Sequence, residues 1–425
     1  MLGKTGVPAH RLTTAHLQVA YPFVAEGGLG GRGVYIGRDL FGGAFTYDAF
    51  ELYEQGILTS PNMLVAGQIG RGKSAFIKSF LWRQQVFGRR AVVMDPKGEY
   101  GGLARACDVE PIRLEPGGRL RLNPLDRRVA REEQLRLLQA IGSAALDRPL
   151  LPQEKTAMSI ALEQASTNGS GSATLPGVVE CLIHPRDDAG HSVGAEQGAL
   201  REWGRETGFE LRRLVAGDLA GMFDGPTSAE IDLGAPLVVL DLSAVYSSEA
   251  LGILMTCAAA WLQGVLAEES RTKTIFVLDE AWAILANLGI AKWLQSSFKL
   301  SRQFGLQNIA VMHRFSDLAA TGAQGSQEER VARGLLSDAE TRVVFGQPHG
   351  EVDATRDLLG LTATEASLLP SLDRGIGLWK VGQRSFLVEQ RLGGRELEIV
   401  DTDSRMVVKH HGFPDSQAEN AGTRG

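Results

Sequence analysis

The chain alternates between short, uniformly apolar segments and longer segments with helical periodicity. Six of the apolar segments have the length of buried strands, at residues 63–66, 91–95, 237–241, 274–278, 308–312 and 342–345. Strands without an alternating polar face are typical of parallel sheets that helices cover on both sides. The sequence therefore predicts an α/β fold with a mainly parallel central sheet.

A glycine-rich loop follows the first of these strands. Its residues match the pattern G-x-x-x-x-G-K-[ST] in full: Gly67, Gln68, Ile69, Gly70, Arg71, Gly72, Lys73 and Ser74. Apolar residues at helical spacing come next, so the loop joins a strand to a helix, as a phosphate-binding loop requires. We expect residues 67–75, which end at Ala75, to bind ATP. Lys73 would reach the β- and γ-phosphates, and the Ser74 hydroxyl would coordinate Mg²⁺.

Two later strands end in acids that could serve as the magnesium-side carboxylate. Asp241 ends one strand, and Asp279 ends another and is followed at once by Glu280. Adjacent side chains on an extended chain diverge, so one acid can face the metal while the other faces a water molecule. We therefore predict Asp279 as the magnesium-side carboxylate and Glu280 as the general base. The alternative is a solvated Asp-Glu turn, which the preceding apolar run disfavours.

Three further residues are candidates for catalysis. His313 follows the strand at 308–312, where its side chain could hydrogen-bond the γ-phosphate or the attacking water. A capping or surface histidine is an equal alternative. Arg302 precedes that strand and Arg342 lies at the start of the last one. Either arginine could reach the active site of the next subunit and neutralise transition-state charge, although most arginines are solvated surface groups.

The turn after the second strand carries two more site candidates. The strand ends at Asp95, and residues 96–100 form a polar turn that contains Glu99. The carboxyl ends of strands beside a glycine loop are where α/β sheets place ligand-contacting groups. Asp95 and Glu99 are therefore candidates, and helix capping by Asp95 is an equal alternative.

The order of these motifs divides the chain into five segments. One predicted β-hairpin at 34–47 leads into the nucleotide domain, and another at 377–388 closes it. Apolar residues at helical spacing between the second and third strands predict an all-helical insertion, with a flexible connector at 166–172. The predicted segments are an N-terminal segment with little structure (1–26), the glycine-loop part of the motor domain (27–126), the helical insertion (127–235), the rest of the motor domain (236–392) and a C-terminal tail with a disordered end (393–425).

Charge and composition narrow the function classes. The formal net charge of −6 argues against a protein that coats nucleic acid by charge alone. The three cysteines, Cys107, Cys181 and Cys257, lack metal-ligand spacing and indicate reduced thiols in a cytoplasmic protein. Residues 250–267 carry no formal charge but are rich in alanine, so we expect a helix buried against the sheet rather than a membrane span.

Together these motifs resemble the conjugative-transfer ATPases of type IV secretion systems, and above all their large pilus-assembly and substrate-transfer ATPase. The matching stretches are the glycine loop with its strand (64–74), the Asp-Pro-x-Gly-Glu-Tyr turn (93–100), 122–125, 221–226, the Asp-Glu-Ala-Trp string (276–282) and 302–313. The resemblance covers about residues 30–392. It implies a RecA-like P-loop motor of the TraG/HerA-FtsK superfamily with an inserted helical subdomain. It also implies a homohexamer at the inner face of the cell membrane, with membrane-anchored machine components as partners and DNA or relaxase-bound DNA as substrate.

Two departures from that family leave other functions open. The family carries a long N-terminal docking domain, whereas little precedes the motor here, and the family's glutamine after the late strand is here His313. A DNA translocase or coupling protein of the FtsK-HerA type is one alternative, and DNA-stimulated turnover would favour it. A nucleotide-gated structural subunit with weak hydrolysis is another, and the intact Lys73, Asp279 and Glu280 argue against it.

Overall fold

The computed structural model describes residues 28–400, apart from 168–171, 218, 232–233, 247–250, 269–271, 286–287, 303–304, 314–329, 332 and 335–336. Three predicted features therefore lie wholly or largely outside the described residues. These are the N-terminal segment (1–26), the connector at 166–172 and the end of the C-terminal tail.

The described residues form one sheet of eleven strands in the order β2-β1-β11-β10-β9-β3-β8-β7-β4-β6-β5. The strands are β1 (Val34–Asp39), β2 (Ala44–Tyr47), β3 (Met63–Ala66), β4 (Arg90–Asp95), β5 (Ile112–Arg113), β6 (Leu237–Asp241), β7 (Thr274–Leu278), β8 (Leu306–Met312), β9 (Thr341–Phe345), β10 (Ile376–Val381) and β11 (Arg384–Gln390). All pairings among β3 to β9 are parallel. The two predicted hairpins pair antiparallel and extend the same sheet at its β9 edge. The α/β class and the mainly parallel sheet are thus confirmed.

Thirteen helices surround this sheet in the described part of the chain. They are α1 (Ala49–Glu54), α2 (Lys73–Gln84), α3 (Gly101–Ala106), α4 (Arg131–Ala145), α5 (Pro152–Thr167), α6 (Leu175–Ile183), α7 (Gln197–Ala216), α8 (Leu251–Glu268), α9 (Trp282–Leu285), α10 (Leu288–Leu300), α11 (Val352–Leu359), α12 (Ala363–Leu368) and α13 (Gly394–Val400).

The side chains of the strands divide between two apolar cores, one on each face of the sheet. Along β3, Leu64 and Ala66 belong to one core, whereas Met63 and Val65 belong to the other. This division follows from the period of two along a strand. The first core also contains α4 to α10, and the second contains α1, α2, α3 and the two hairpins. Both faces of the parallel strands are therefore covered, which explains why their sequences are uniformly apolar.

Helices α4 to α7 lie between β5 and β6, where the sequence predicts the helical insertion. Their buried side chains, such as Ile141 and Leu211, belong to the same core as Leu254 of α8. Helix α4 also contacts α8 and α10. The helical segment is therefore a layer on one face of the sheet, and the boundaries at 127 and 235 stay a prediction.

Helix α8 contains the long uncharged segment of the sequence. Its side chains Leu254, Cys257 and Trp261 are fully buried against the sheet, as the alanine-rich composition predicts. Among the helices that the structure describes, none combines the length and apolarity needed to cross a membrane.

The start of the predicted C-terminal tail is ordered. Residues 394–400 form α13, which contacts α2 and α3 and buries Ile399. The sequence pattern did not predict this helix, because its seven residues are too few to show a clear apolar face.

Candidate nucleotide-binding site

The glycine loop joins β3 to α2 at the carboxyl edge of the parallel strands. Gly67 has a φ of 155°, and a Cβ there would lie 2.6 Å from Cβ of Phe345. Gly72 has a φ of 111° and precedes the first residue of α2, and no side chain caps that helix. The N–H groups at the start of α2 are therefore available to an anion. Gly67 and Gly72 have backbone conformations that residues with a Cβ rarely adopt, so glycine suits both positions of the loop.

Lys73 is the first residue of α2 and turns its side chain back over the loop. Its Nζ donates to the carbonyl oxygens of Gly67, at 2.5 Å, and Gln68, at 3.1 Å. The side chain is buried, and burial lowers the pKa of Lys73 to about 8, although the nearby Asp279 and Glu280 carboxylates act in the opposite direction. An ammonium group whose partners are backbone carbonyls can exchange them for phosphate oxygens at little cost. The loop and Lys73 thus fit a bound nucleotide.

The two predicted acids lie in the turn that follows β7. The strand ends at Leu278, and Glu280 has a φ of 55°. The expectation of an extended chain at Asp279 and Glu280 is therefore wrong, because the backbone turns there, although the two side chains do reach different partners. Both side chains are buried nonetheless, at 5% and 1% exposure. The turn that carries them lies at the same edge of the sheet as the glycine loop, because β3 and β7 both run parallel to β8. The tandem acids and the glycine loop thus share one site.

Asp279 has the surroundings of a metal ligand. Its Oδ2 accepts a hydrogen bond from the hydroxyl of Tyr100 at 3.2 Å, and its Oδ1 accepts one from the N–H of Glu280 at 3.0 Å. Burial, together with the neighbouring Glu280, raises the pKa of Asp279 to about 7. A buried carboxylate whose hydrogen bonds come from a hydroxyl and a backbone N–H is suited to Mg²⁺, which prefers oxygen ligands. Asp241, the other candidate, instead pairs with Arg113.

Glu280 uses both carboxylate oxygens for contacts within the chain. Oε1 contacts Nζ of Lys97 and lies 2.5 Å from Nε2 of His313. Oε2 accepts a hydrogen bond from the indole of Trp282. Burial alone would raise the pKa of Glu280, but the contacts with His313 and Lys97 outweigh it and lower the pKa to about 2. His313 therefore lies beside the predicted base, as its position after β8 indicates.

The turn from Asp95 to Tyr100 holds both acids in place. Oδ1 of Asp95 accepts hydrogen bonds from the N–H groups of Lys97, at 3.3 Å, and Glu99, at 3.0 Å. Its Oδ2 accepts one from the N–H of Tyr100 at 2.9 Å. Asp95 thus fixes the turn and does not cap α3, whose N-cap is Tyr100. Because Lys97 contacts Glu280 and Tyr100 contacts Asp279, one short turn reaches both members of the acidic pair.

The two candidate arginines lie away from this edge. Arg302 is exposed before β8 and donates to the carbonyl oxygen of Thr59 at 3.3 Å. Arg342 lies at the start of β9 and donates to the carbonyl oxygens of Ala339 and Leu359. Both residues are near the amino ends of parallel strands, whereas the glycine loop follows the carboxyl end of β3. Neither joins the site of its own chain.

Three contacting residues were missed by the reasoning from sequence: Lys97, Tyr100 and Trp282. Each lies within five residues of a predicted acid, so proximity to a strand end was the available signal. Proximity in sequence does not predict which side chains point towards the site. Their direction depends on the backbone conformation of the turns after β4 and β7.

Comparison with solved structures defines the fold. Neither protein-family models nor curated protein sequences give a match. The structure of VirB4 of Thermoanaerobacter pseudethanolicus matches with a TM-score of 0.71 and 21% identity over 87% of this chain and 99% of that one. The plasmid coupling protein TrwB in complex with ADP and Mg²⁺ matches with a TM-score of 0.55 and 17% identity over 85% and 91%. TrwB with a non-hydrolysable ATP analogue matches with a TM-score of 0.52 and 17% identity over 78% and 85%.

These likenesses, together with the sheet and the glycine loop, define the fold as that of the RecA-like P-loop ATPases. Within that fold the chain is similar to VirB4 and to the conjugative coupling protein TrwB. The resemblance to type IV secretion and conjugation ATPases that the motifs indicate is confirmed at the level of the fold.

Proposed function

We propose that this protein is an ATP-hydrolysing motor that powers conjugative DNA or protein transfer, or the assembly of a type IV secretion machine. One observation carries the catalytic part of the proposal. Lys73 on the glycine loop and the Asp279–Glu280 pair lie at one edge of the sheet, although some two hundred residues separate them, because β3 and β7 flank β8 in parallel. A phosphate cradle beside two buried carboxylates supports hydrolysis of a nucleotide by an activated water molecule.

Each residue has a separate part in the proposed reaction. The loop N–H groups of residues 67–75 and the ammonium of Lys73 bind the phosphates and orient them. Ser74 and Asp279 hold Mg²⁺, which neutralises charge on the phosphates when it is bound. Glu280 orients a water molecule and takes its proton, and His313 holds the Glu280 carboxylate. Arg302 and Arg342 remain candidates for a contribution from a neighbouring subunit.

The structural likenesses support the wider assignment. The TM-score with VirB4 exceeds that with TrwB, which supports the assembly and substrate-transfer type over the coupling type. We propose a homohexamer that docks on membrane-anchored components of the machine at the inner face of the cell membrane. DNA or a relaxase–DNA complex is the proposed cargo.

ATP turnover by the wild type and by the variant E280Q tests the catalytic proposal. We expect E280Q to bind ATP but to hydrolyse it about 10²- to 10⁴-fold more slowly, because the amide cannot accept the water's proton. The exposed Glu398 of α13 provides a matched control, since E398Q makes the same chemical change far from the site. Equal, near-zero rates in the wild type and E280Q would instead indicate a structural subunit.

The same assay addresses the transported substrate. A rate that double-stranded DNA leaves unchanged is the result expected for the assembly and transfer type. Stimulation of turnover by DNA alone would favour the coupling-protein alternative.

A further inference from the structure

The Glu280 carboxylate is enclosed by a cluster that consists of Lys97, His313 and Trp282. Lys97 Nζ and His313 Nε2 both contact Oε1, and these two nitrogen atoms lie 2.9 Å apart. The Trp282 indole donates a hydrogen bond to Oε2. The Glu280 side chain is almost completely removed from solvent.

These contacts restrain Glu280 as a general base. Proton abstraction from water requires a carboxylate lone pair that points at the water molecule. Here both oxygens of Glu280 accept contacts from its neighbours, and the side chain is almost completely buried, so water has little access to the remaining lone pairs. The arrangement therefore restrains the base, and the departure of one partner would open Glu280 to a water molecule.

Lys97 is the partner best able to leave. Trp282 follows Glu280 by two residues and is the first residue of α9, and His313 directly follows β8. The Lys97 side chain is long, and its backbone is fixed independently through Asp95. Its ammonium group can therefore change partners while the turn stays in place.

The surroundings of Lys97 supply the reason for such an exchange. Lys97 follows β4 and Lys73 follows β3, and these parallel strands end at the edge of the sheet that also carries Asp279 and Glu280. Burial lowers the pKa of Lys73, Lys97 lowers it further, and Asp279 and Glu280 oppose this effect. Two ammonium groups at one site repel each other unless anions lie between them. Phosphate oxygens at the glycine loop would add negative charge beside Lys73 and compete with Glu280 for Lys97.

We propose that Lys97 is a nucleotide-contacting residue that exchanges the Glu280 carboxylate for the terminal phosphate and so releases Glu280 to act on water. This inference rests on the proposed ATPase function and adds a residue to its site. Lys97 then couples recognition of the third phosphate to activation of the base, and ADP, which lacks that phosphate, leaves Glu280 restrained.

Calorimetric binding of ADP and of the β,γ-imido analogue of ATP gives the first test. We expect K97M to weaken imido-ATP binding about tenfold or more, because a charge-assisted hydrogen bond to the third phosphate is lost. Binding of ADP should change less than threefold, which also shows that the variant is folded. K97Q, which keeps a polar side chain, is measured in parallel. K273M removes a lysine at the other end of β7 and should leave both affinities unchanged. Equal weakening of both nucleotides in K97M and K97Q would overturn the inference.

A double-mutant cycle of K97M and E280Q in imido-ATP binding decides between exchange and static pairing. If Lys97 moves to the phosphate, E280Q removes a competitor, so its gain in affinity is larger with Lys97 present than in the K97M background. If Lys97 cannot reach the phosphate, E280Q relieves repulsion between the carboxylate and the phosphates mainly when Lys97 is absent, and the order of the two gains in affinity reverses. The reversed order refutes the inference.

Failure of this inference can be distinguished from failure of the proposed function. Wild-type protein that binds neither nucleotide would refute the ATPase proposal itself. Wild-type turnover that is lost in E280Q, combined with the reversed cycle, would leave the ATPase proposal intact and remove only the role of Lys97.

Discussion

At the scale of single residues, backbone conformation determines where the chemical groups lie. Glu280 has a φ of 55°, and in the described part of the chain only two other residues besides glycines, Asp108 and Asp147, have a positive φ. This conformation costs about 1 kcal/mol for a residue with a side chain. The turn it creates directs the Glu280 carboxylate towards Lys97 and His313. The strain is thus located at the proposed catalytic base.

The glycine at the start of the phosphate loop gives a prediction at this scale. We expect G67A to weaken binding of an ATP analogue about tenfold or more, because the new Cβ would lie 2.6 Å from Cβ of Phe345 and force the loop out of place. Fluorescence titration with a labelled nucleotide measures the change. G88A is the matched control, since Gly88 has a φ of 64° but open space around it. Unchanged binding by G67A would contradict a loop that needs this backbone position.

At the scale of elements, one arginine connects three parts of the structure. Arg83 on α2 forms a bidentate pair with Glu396 on α13, with both N···O distances at 2.6 Å. Its guanidinium also donates to carbonyl oxygens of β1 and of Arg391, after β11. Ser79 donates to Glu396 at 2.9 Å. The helix that begins at the phosphate loop is therefore anchored to the leading hairpin and to the C-terminal helix.

This anchor predicts a pH dependence of stability. Burial alone would raise the pKa of Glu396, but hydrogen bonds from Arg83, Gly393 and Ser79 lower it below the value of 4.5 that applies to the unfolded chain. The stabilisation is therefore present above about pH 4.5 and is lost as the pH falls through the folded-state pKa. We expect E396Q to lower the free energy of unfolding by about 1–3 kcal/mol at pH 7.

Urea unfolding at several pH values measures this effect. The difference between the wild type and E396Q should shrink as the pH falls below 4.5. E398Q, on the exposed face of the same helix, serves as the control and should match the wild type throughout. A difference that does not vary with pH would mean that Glu396 contributes through packing alone.

At the scale of the whole molecule, one apolar core joins the helical layer to the sheet. Helices α4 to α7 share their core with one face of the parallel strands and with α8. No separate core holds these helices together among the described residues, because their buried side chains belong to that same cluster. The helical segment should therefore unfold together with the sheet, despite its position as an insertion in the sequence.

Truncation of a side chain in this layer tests that expectation. Ile141 of α4 is fully buried, and we expect I141A to destabilise the protein by about 2–5 kcal/mol. Differential scanning calorimetry should show one transition that moves as a whole to lower temperature. I57A, at an exposed position, is the control. An additional early transition in I141A, with the main one unmoved, would show that the helices form an independent unit.

The sequence by itself determined six of the seven strands of the parallel sheet, both hairpins, the phosphate loop and the tandem acids. It did not predict β5, whose two residues are too few to form an apolar run. These features depend on local rules: uniformly apolar strands, glycines where the backbone needs them, and polar residues at strand ends. Local pattern also identified His313 as a polar residue at the end of β8. It could not show that this side chain lies 2.5 Å from Glu280.

Only the tertiary structure decided which side chains meet. The parallel order β3-β8-β7-β4 brings the turns after four distant strands to one edge, and there Lys97 and Tyr100 reach the two acids. The same order leaves Arg302 and Arg342 near the opposite edge, away from the site of their own chain. These contacts depend on the order of the strands in the sheet and on the backbone path of each turn. The strand order and the turns are set by pairings between residues far apart in the chain, so a local sequence pattern cannot predict the contacts.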